Sequence, residues 1–102
     1  MRTPRKLREC KGFEWDEHNP EKIWSQYDVM PSECEQAYFN KPFIVSFDNS
    51  HSQSDDRYFA LGHTDTKRLL FVVFTIRNNS IRVISARDMT AKEEKIYASH
   101  EK

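Results

Sequence analysis

Residues 69–76 read Leu69-Leu70-Phe71-Val72-Val73-Phe74-Thr75-Ile76, and this nearly continuous apolar run decides the fold. Its length and its β-branched and aromatic content predict a central strand that is covered on both faces. Asn78-Asn79-Ser80 follows, and asparagine tolerates the positive φ angles that a tight hairpin turn requires. The next segment, Ile81–Arg87, again has the character of a strand. The two segments therefore predict an antiparallel hairpin.

Further strands are predicted upstream of this hairpin. Phe43–Phe47 is short and aromatic or β-branched, and Arg57–Gly62 follows it after a polar loop, Asp48–Asp56, that has no apolar residue. Near the N-terminus, Phe13 and Trp15 alternate with charged residues, as in a short half-buried strand.

Two helices are predicted between the first strand and the others. Asn19-Pro20 is a favourable helix start, because asparagine caps well and proline fits the first helical position; Pro31 ends this helix. Ser32 and Glu35 have the spacing of a capping box and predict a second helix, which Pro42 stops.

A last helix is predicted from the capping-box pair Thr90 and Glu93 to about Ser99, with Ile96 as its apolar anchor. The element order is thus strand, helix, helix, a run of strands, and helix. This order predicts an α+β domain with a largely antiparallel sheet and with helices packed on one face.

Composition indicates one domain in a chain of 102 residues. Residues 1–11 are expected to form a basic flexible arm, and residues 12–102 the domain itself. No apolar run approaches the ~20 residues that cross a membrane, and the N-terminus lacks the apolar part of a signal peptide, so we expect a cytoplasmic protein. Cys10 and Cys34 are then expected to be free thiols.

Several site classes are disfavoured by the residues present. The four histidines are scattered, and there is no cysteine–histidine cluster, so we expect no metal site. With two glycines in the whole chain, no glycine-rich phosphate loop can form, and we expect no cofactor.

The net charge of zero conceals an asymmetry along the chain. Residues 12–56 hold two basic and ten acidic residues, a net charge of −8, whereas residues 57–102 hold nine basic and five acidic residues, a net charge of +4. The C-terminal half therefore can form a basic surface that binds a polyanion or an acidic partner, although the charges can equally well only solvate the surface.

The arginines of the predicted strands suggest a specific chemistry. Arg57, Arg82 and Arg87 carry planar guanidinium groups that pair with phosphate, and RNA can be cleaved without metal when its own 2′-hydroxyl attacks the phosphate. Arg82 and Arg87 are five positions apart, so they should point to opposite faces unless a bulge intervenes. His51 could supply acid–base catalysis, and Trp15 or Phe74 could stack a base.

Each of these residues also has an ordinary structural interpretation. Arg82 can be a solvent-facing strand residue, His51 can order its turn, and the aromatic side chains can belong to the core. The residues alone leave these alternatives open.

Several motifs, in order, give the chain a family resemblance from about Phe13 to Tyr97. It resembles the BrnT family of ribonuclease toxins at Gly12–Asp16, Asn19–Lys22 with Trp24, Asp48, His51, Ser52, Asp56, Arg57, Tyr58, Gly62, Arg82–Arg87, Thr90, Glu93 and Tyr97.

The resemblance implies a RelE-like toxin that cuts RNA and slows translation. It implies a BrnA-like ribbon-helix-helix antitoxin that neutralises the toxin, binds operator DNA and assembles with it into a hetero-oligomer. Candidate catalytic residues are Arg57 and Arg87, supported by His51 and Lys22. The candidate substrate-binding residues are Arg82 and Trp15.

One segment departs from the family pattern. Gln26-Tyr27-Asp28-Val29 stands where the family usually has Lys-His-Gly-Val, and Asp56 replaces the usual glutamate. If this segment touches RNA, the change weakens catalysis; if it caps a helix, Asp28 is less suited than glycine to a left-handed conformation. Two alternatives to an active ribonuclease follow. One is a catalytically weak scaffold that binds an antitoxin and assists operon repression, and the other is a stand-alone nucleic-acid binder.

Overall fold

The computed structural model describes residues 10–15, 28–48 and 56–100. Residues 1–9 of the predicted basic arm, most of the first predicted helix and two candidate residues, Lys22 and His51, lie outside these ranges. The elements, in chain order, are β1 (Gly12–Phe13), α1 (Pro31–Phe39), β2 (Ile44–Phe47), β3 (Arg57–His63), β4 (Leu69–Arg77), β5 (Ser80–Asp88) and α2 (Ala91–Ser99).

The five strands form one sheet in the order β1-β5-β4-β3-β2, with β4 at its centre. Strands β2 to β5 pair antiparallel, and β1 pairs parallel with β5. Asn78 and Asn79 have φ angles of 54° and 60°, which the predicted hairpin turn requires. The α+β class, the largely antiparallel sheet and the hairpin are therefore confirmed.

One face of the sheet, here called the core face, packs against α1. It carries Leu70, Val72 and Phe74 of β4, which are buried together with Cys34 and Ala37 of α1. Burial raises the pKa of the Cys34 thiol to about 12, and the neighbouring carboxylates add to this shift, so the thiol stays neutral.

The helix and strand approach each other closely at Gly62. A Cβ atom there would lie 3.0 Å from a ring carbon of Phe43 and 3.1 Å from both the Cβ and the carbonyl oxygen of Ala37. Glycine at this position therefore sets the close packing of α1 on β3.

The expectation that the helices share one face is wrong, because α2 packs on the opposite side of the sheet. Tyr97 of α2 is 1% exposed and packs with Ile44 and Leu61, whose side chains alternate with those of the core face. Ile96, the predicted anchor, is 43% exposed. Thr90 and Glu93 form the predicted capping box at Ala91, and the helix that it starts turns Tyr97, not Ile96, towards the sheet.

Two further expectations hold only in part. Strand β4 is covered on both faces, but less completely opposite the core face, where Leu69 and Phe71 are half-buried against the cluster that contains Tyr97. The capping box of α1 is not Ser32 with Glu35. The helix begins at Pro31, because proline suits the first helical position. The cap is formed instead by Glu33, which accepts a hydrogen bond from the backbone N–H of Met30 at 3.0 Å.

Candidate functional site

A register shift in β5 decides where the candidate arginines point. Val73 of β4 pairs with Ser85, and the next residue, Phe74, pairs with Val83, so Ile84 is an extra residue in β5. An extra residue of this kind is a β-bulge, and it reverses the alternation of side chains beyond it. Arg82 and Arg87 consequently lie on the same face, which is the exception that the sequence left open.

Arg57 lies on this face too. It pairs with Thr75 of β4, and Thr75 pairs with Arg82 of β5, so the two arginines flank one threonine in a row across three strands. Neighbouring strands are ~4.8 Å apart, so the two arginine backbones are ~10 Å apart. We call the face that carries Arg57, Arg82 and Arg87 the arginine face.

Carboxylates lie at both ends of this row. Glu14, just after β1, forms an ion pair with Arg82, whose Nε lies 3.5 Å from the Oε1 of Glu14. At the other end, the backbone N–H of Asp48 donates to the carbonyl of Arg57 at 2.8 Å, which continues the β2–β3 pairing and puts Asp48 opposite Arg57. The row thus reads acid, arginine, threonine, arginine, acid.

Arg87 is held in a fixed orientation by the N-terminus of α2. Its two terminal nitrogens donate to the two oxygens of Glu93 at 2.8 and 2.9 Å, and its guanidinium carbon lies 4.1 Å from the centre of the Phe71 ring. The hydrogen bond from Arg87 holds the pKa of the Glu93 carboxyl below its usual range, aided by Thr90. Arg87 is therefore a preorganised cation that a phosphate would have to share with Glu93.

A groove with an aromatic floor separates the row from α2. Phe59 and Phe71 lie there with ring centres 5.8 Å apart and planes 26° apart. A cavity of about 320 Å³ opens beside them and is bordered by Ile96. Flat apolar rings next to arginines suit an unpaired nucleobase.

The aromatic candidates from the sequence do not join this face. Trp15 packs at the core face, where its Nε1 donates to Glu35 at 2.9 Å and its ring stacks on Phe13 at 6.0 Å. Phe74 is 1% exposed and belongs to the core.

A separate cluster of charges is centred on Arg68, which also contacts the backbone of Asp28. Asp28 has a φ of 57°, the left-handed conformation for which glycine is better suited. Its carbonyl accepts from Arg68 at 2.8 Å, and Arg68 also pairs with Glu33 at 3.1 Å and with Asp88 at 2.7 Å. The hydrogen bonds between Arg68 and Asp88 raise the pKa of Arg68, with a further contribution from Glu33, and lower the pKa of Asp88. Arg68 thus ties the entry to α1 to the ends of β4 and β5.

Sequence reasoning missed Thr75, Glu14 and Phe59 as members of the site. Alternation along β3 already places Phe59 on the same face as Arg57, whereas Thr75 and Glu14 require the strand pairing. Within residues 10–15, 28–48 and 56–100, no three histidine, cysteine, aspartate or glutamate side chains could hold a metal ion.

A family model described as the ribonuclease toxin BrnT of a type II toxin–antitoxin system matches residues 15–93. The chain belongs to the BrnT family. The crystal structure of the Brucella abortus ribonuclease toxin BrnT resembles the fold with a TM-score of 0.55 at 17% identity. That similarity covers 78% of this chain and 96% of the Brucella chain. No curated protein matches this BrnT family member in sequence. Type II membership implies an antitoxin partner, and no helix within the described ranges is long and apolar enough to span a membrane.

Proposed function

We propose that this BrnT family member is an endoribonuclease that cleaves RNA without metal on its arginine face. The observation that carries the proposal is the bulge at Ile84, because it brings Arg82 to the face of Arg57 and Arg87. Arg57 and Arg82 in the row can bind the phosphate, and Arg87, four β4 positions further along the same face, adds positive charge that helps to stabilise the extra negative charge that develops when a 2′-hydroxyl attacks it.

The residues take different parts in this reaction. Arg57 and Arg82 flank Thr75 and bind the phosphate at the row, while Arg87 adds a third cation beside the aromatic groove. A base of the same RNA stacks on Phe59. His51 and Lys22 remain the proposed acid–base and supporting residues. Trp15 has less support as a substrate contact, since it bonds Glu35 at the core face.

In the cell, we place the toxin in the cytoplasm, where RNA cleavage of this RelE-like kind slows translation. A BrnA-like ribbon-helix-helix antitoxin neutralises it, and operator DNA is bound through that antitoxin in a hetero-oligomer. The arginine face supports this partnership, because an acidic antitoxin segment there would exclude RNA.

A catalytically weak scaffold that binds the antitoxin and assists operon repression is the second candidate. One observation favours it: Glu14 and Glu93 already pair with Arg82 and Arg87. Each carboxylate offsets a charge that the phosphate needs.

An RNA cleavage assay in EDTA separates the two candidates. The wild-type protein, purified free of any partner, is compared with Arg57→Ala and Arg87→Ala, and with Lys95→Ala as a control that removes an exposed charge from α2. We expect cleavage by wild type and Lys95→Ala and a loss of about 100-fold or more in each arginine variant. A folded wild-type protein that leaves RNA intact would support the scaffold.

A further inference from the structure

A basic pocket lies at the other end of the sheet from the arginine row. It has a volume of about 440 Å³ and is lined by Lys41, Pro42, His63, Lys67 and Leu69. Among the described residues, its lining thus includes two lysines and a histidine but no carboxylate. His63 is six residues from Arg57 on β3, a separation of ~20 Å along a strand.

The orientation of the His63 ring is fixed by a relay of two short hydrogen bonds. The hydroxyl of Tyr97 donates to the carbonyl of Pro42 at 2.6 Å, and a carbonyl can only accept. Tyr97 has no second hydrogen, so the Nδ1 of His63, 2.6 Å from the same oxygen, must be the donor. The ring therefore keeps hydrogen on Nδ1, and none of the described residues occupies its Nε2.

The backbone on both sides of the pocket is also held in place. Lys41 precedes Pro42, whose carbonyl Tyr97 holds. Lys67 lies in the β3–β4 turn with a φ of 72°, and its N–H donates to Thr64 at 3.0 Å.

The β3–β4 turn is also held by hydrogen bonds from Asn40, the residue that follows α1. The amide of Asn40 donates to the carbonyl of His63 at 3.1 Å and to the side chain of Asp65 at 2.9 Å. A ligand would meet a preformed pocket, which lowers the cost of binding.

From this arrangement we infer that the pocket of Lys41, His63 and Lys67 is a phosphate-binding site, distinct from the arginine face. Ammonium groups bind phosphate as mobile point charges, and the Nε2 of His63 donates a directional hydrogen bond to the anion when the ring is in its imidazolium form, in which both nitrogens carry hydrogen. The phosphate can belong to a longer RNA that also contacts the arginine face, or to a free phosphate or small phosphate ester. The first source rests on the proposed function, whereas the site itself does not.

Histidine NMR tests the site directly. Inorganic phosphate is titrated into the wild-type protein at constant pH and ionic strength, and the ring signals of His63 are assigned with His63→Gln. We expect saturable shifts of these signals at or below about 10 mM phosphate. Equal shifts with acetate would show a carboxylate site, and unmoved signals would show no site; either result overturns the inference.

A pair of double variants identifies the contribution of the lysines. Lys41→Ala with Lys67→Ala should weaken phosphate binding about tenfold or more, because it removes two charged hydrogen-bond donors. Lys92→Ala with Lys95→Ala changes the net charge equally on exposed positions of α2 and should leave the affinity within about twofold. Equal losses in both pairs would show nonspecific attraction, and the inference would be wrong.

A short 2′-O-methyl RNA, which cannot be cleaved, separates the two sources. If RNA supplies the phosphate, the oligonucleotide shifts the His63 signals and binds less tightly to the Lys41→Ala, Lys67→Ala protein. If only inorganic phosphate shifts them, the site accepts small phosphate compounds. Neither readout depends on cleavage, so failure of the proposed ribonuclease activity would leave this test intact.

Discussion

Asp28 occupies a backbone conformation that disfavours its side chain. Its φ of 57° places it in the left-handed region, where glycine has no Cβ to clash and where aspartate is tolerated better than most residues. The BrnT motif usually has glycine at this position, so the difference has a structural consequence, whatever its effect on RNA. The Asp28 carbonyl, which Arg68 binds, is present with any side chain.

We expect Asp28→Gly to stabilise the protein by about 0.5 kcal/mol, because the relief of strain exceeds the added entropy of glycine in the unfolded chain. Asp28→Ala should instead destabilise it by about 1 kcal/mol. Urea unfolding of the three proteins measures both changes. If alanine and glycine had the same effect, the backbone conformation would not be the cause.

At the scale of elements, α2 illustrates how a one-residue difference in orientation changes the role of a side chain. Ile96 and Tyr97 are adjacent and both apolar, but only Tyr97 is buried, between the sheet and the Pro42 carbonyl. The packing of α2 on the sheet therefore depends on Tyr97.

Alanine substitutions at these neighbours should differ sharply. Tyr97→Ala should lower the free energy of unfolding by about 3–5 kcal/mol, because it opens a large cavity and leaves Pro42 and His63 without their partner. Ile96→Ala should cost less than about 1 kcal/mol. Thermal or urea denaturation gives both values. A larger loss of stability for Ile96→Ala than for Tyr97→Ala would show that Ile96, not Tyr97, faces the sheet.

Local sequence patterns predict several elements correctly. These are the strands β3, β4 and β5, the hairpin between β4 and β5, and the helix cap at Thr90. In α2, by contrast, Ile96 and Tyr97 are adjacent and both apolar, so the sequence does not decide which of them faces the sheet. The buried anchor of α2 could therefore not be predicted. The bulge at Ile84 depends on how β5 pairs with β4, and a single strand does not encode that register.

For the whole molecule, the arrangement of charge matters more than its sum. The chain has a net charge of zero, yet Arg57, Arg82 and Arg87 share one face of the sheet and Lys41 and Lys67 share a pocket. Binding of a single-stranded RNA should therefore weaken as salt rises, despite the neutral total.

The salt dependence of the RNA affinity also gives the number of contacts between the protein and RNA phosphates. Each phosphate contact adds ~0.7 to the slope of log affinity against log salt for a single strand. Arg57→Ala and Arg82→Ala should each lower that slope by about this amount, whereas Lys95→Ala should not change it. Fluorescence anisotropy with 2′-O-methyl RNA at several salt concentrations measures the slopes. Identical slopes in all four proteins would place the RNA elsewhere.

The bulge at Ile84 makes the number of residues between Arg82 and Arg87 a matter of parity. Four residues separate the two arginines, and one of them, Ile84, has no partner on β4. Loss of Ile84 itself would remove the bulge and leave the two arginines four positions apart on a regular strand, where they would still share a face. Gain of a single residue that pairs with β4 would instead turn one arginine towards the interior, whereas a gain of two would restore the arrangement. Deletion of the unpaired residue should therefore be tolerated between these arginines, whereas insertions of paired residues should come in even numbers.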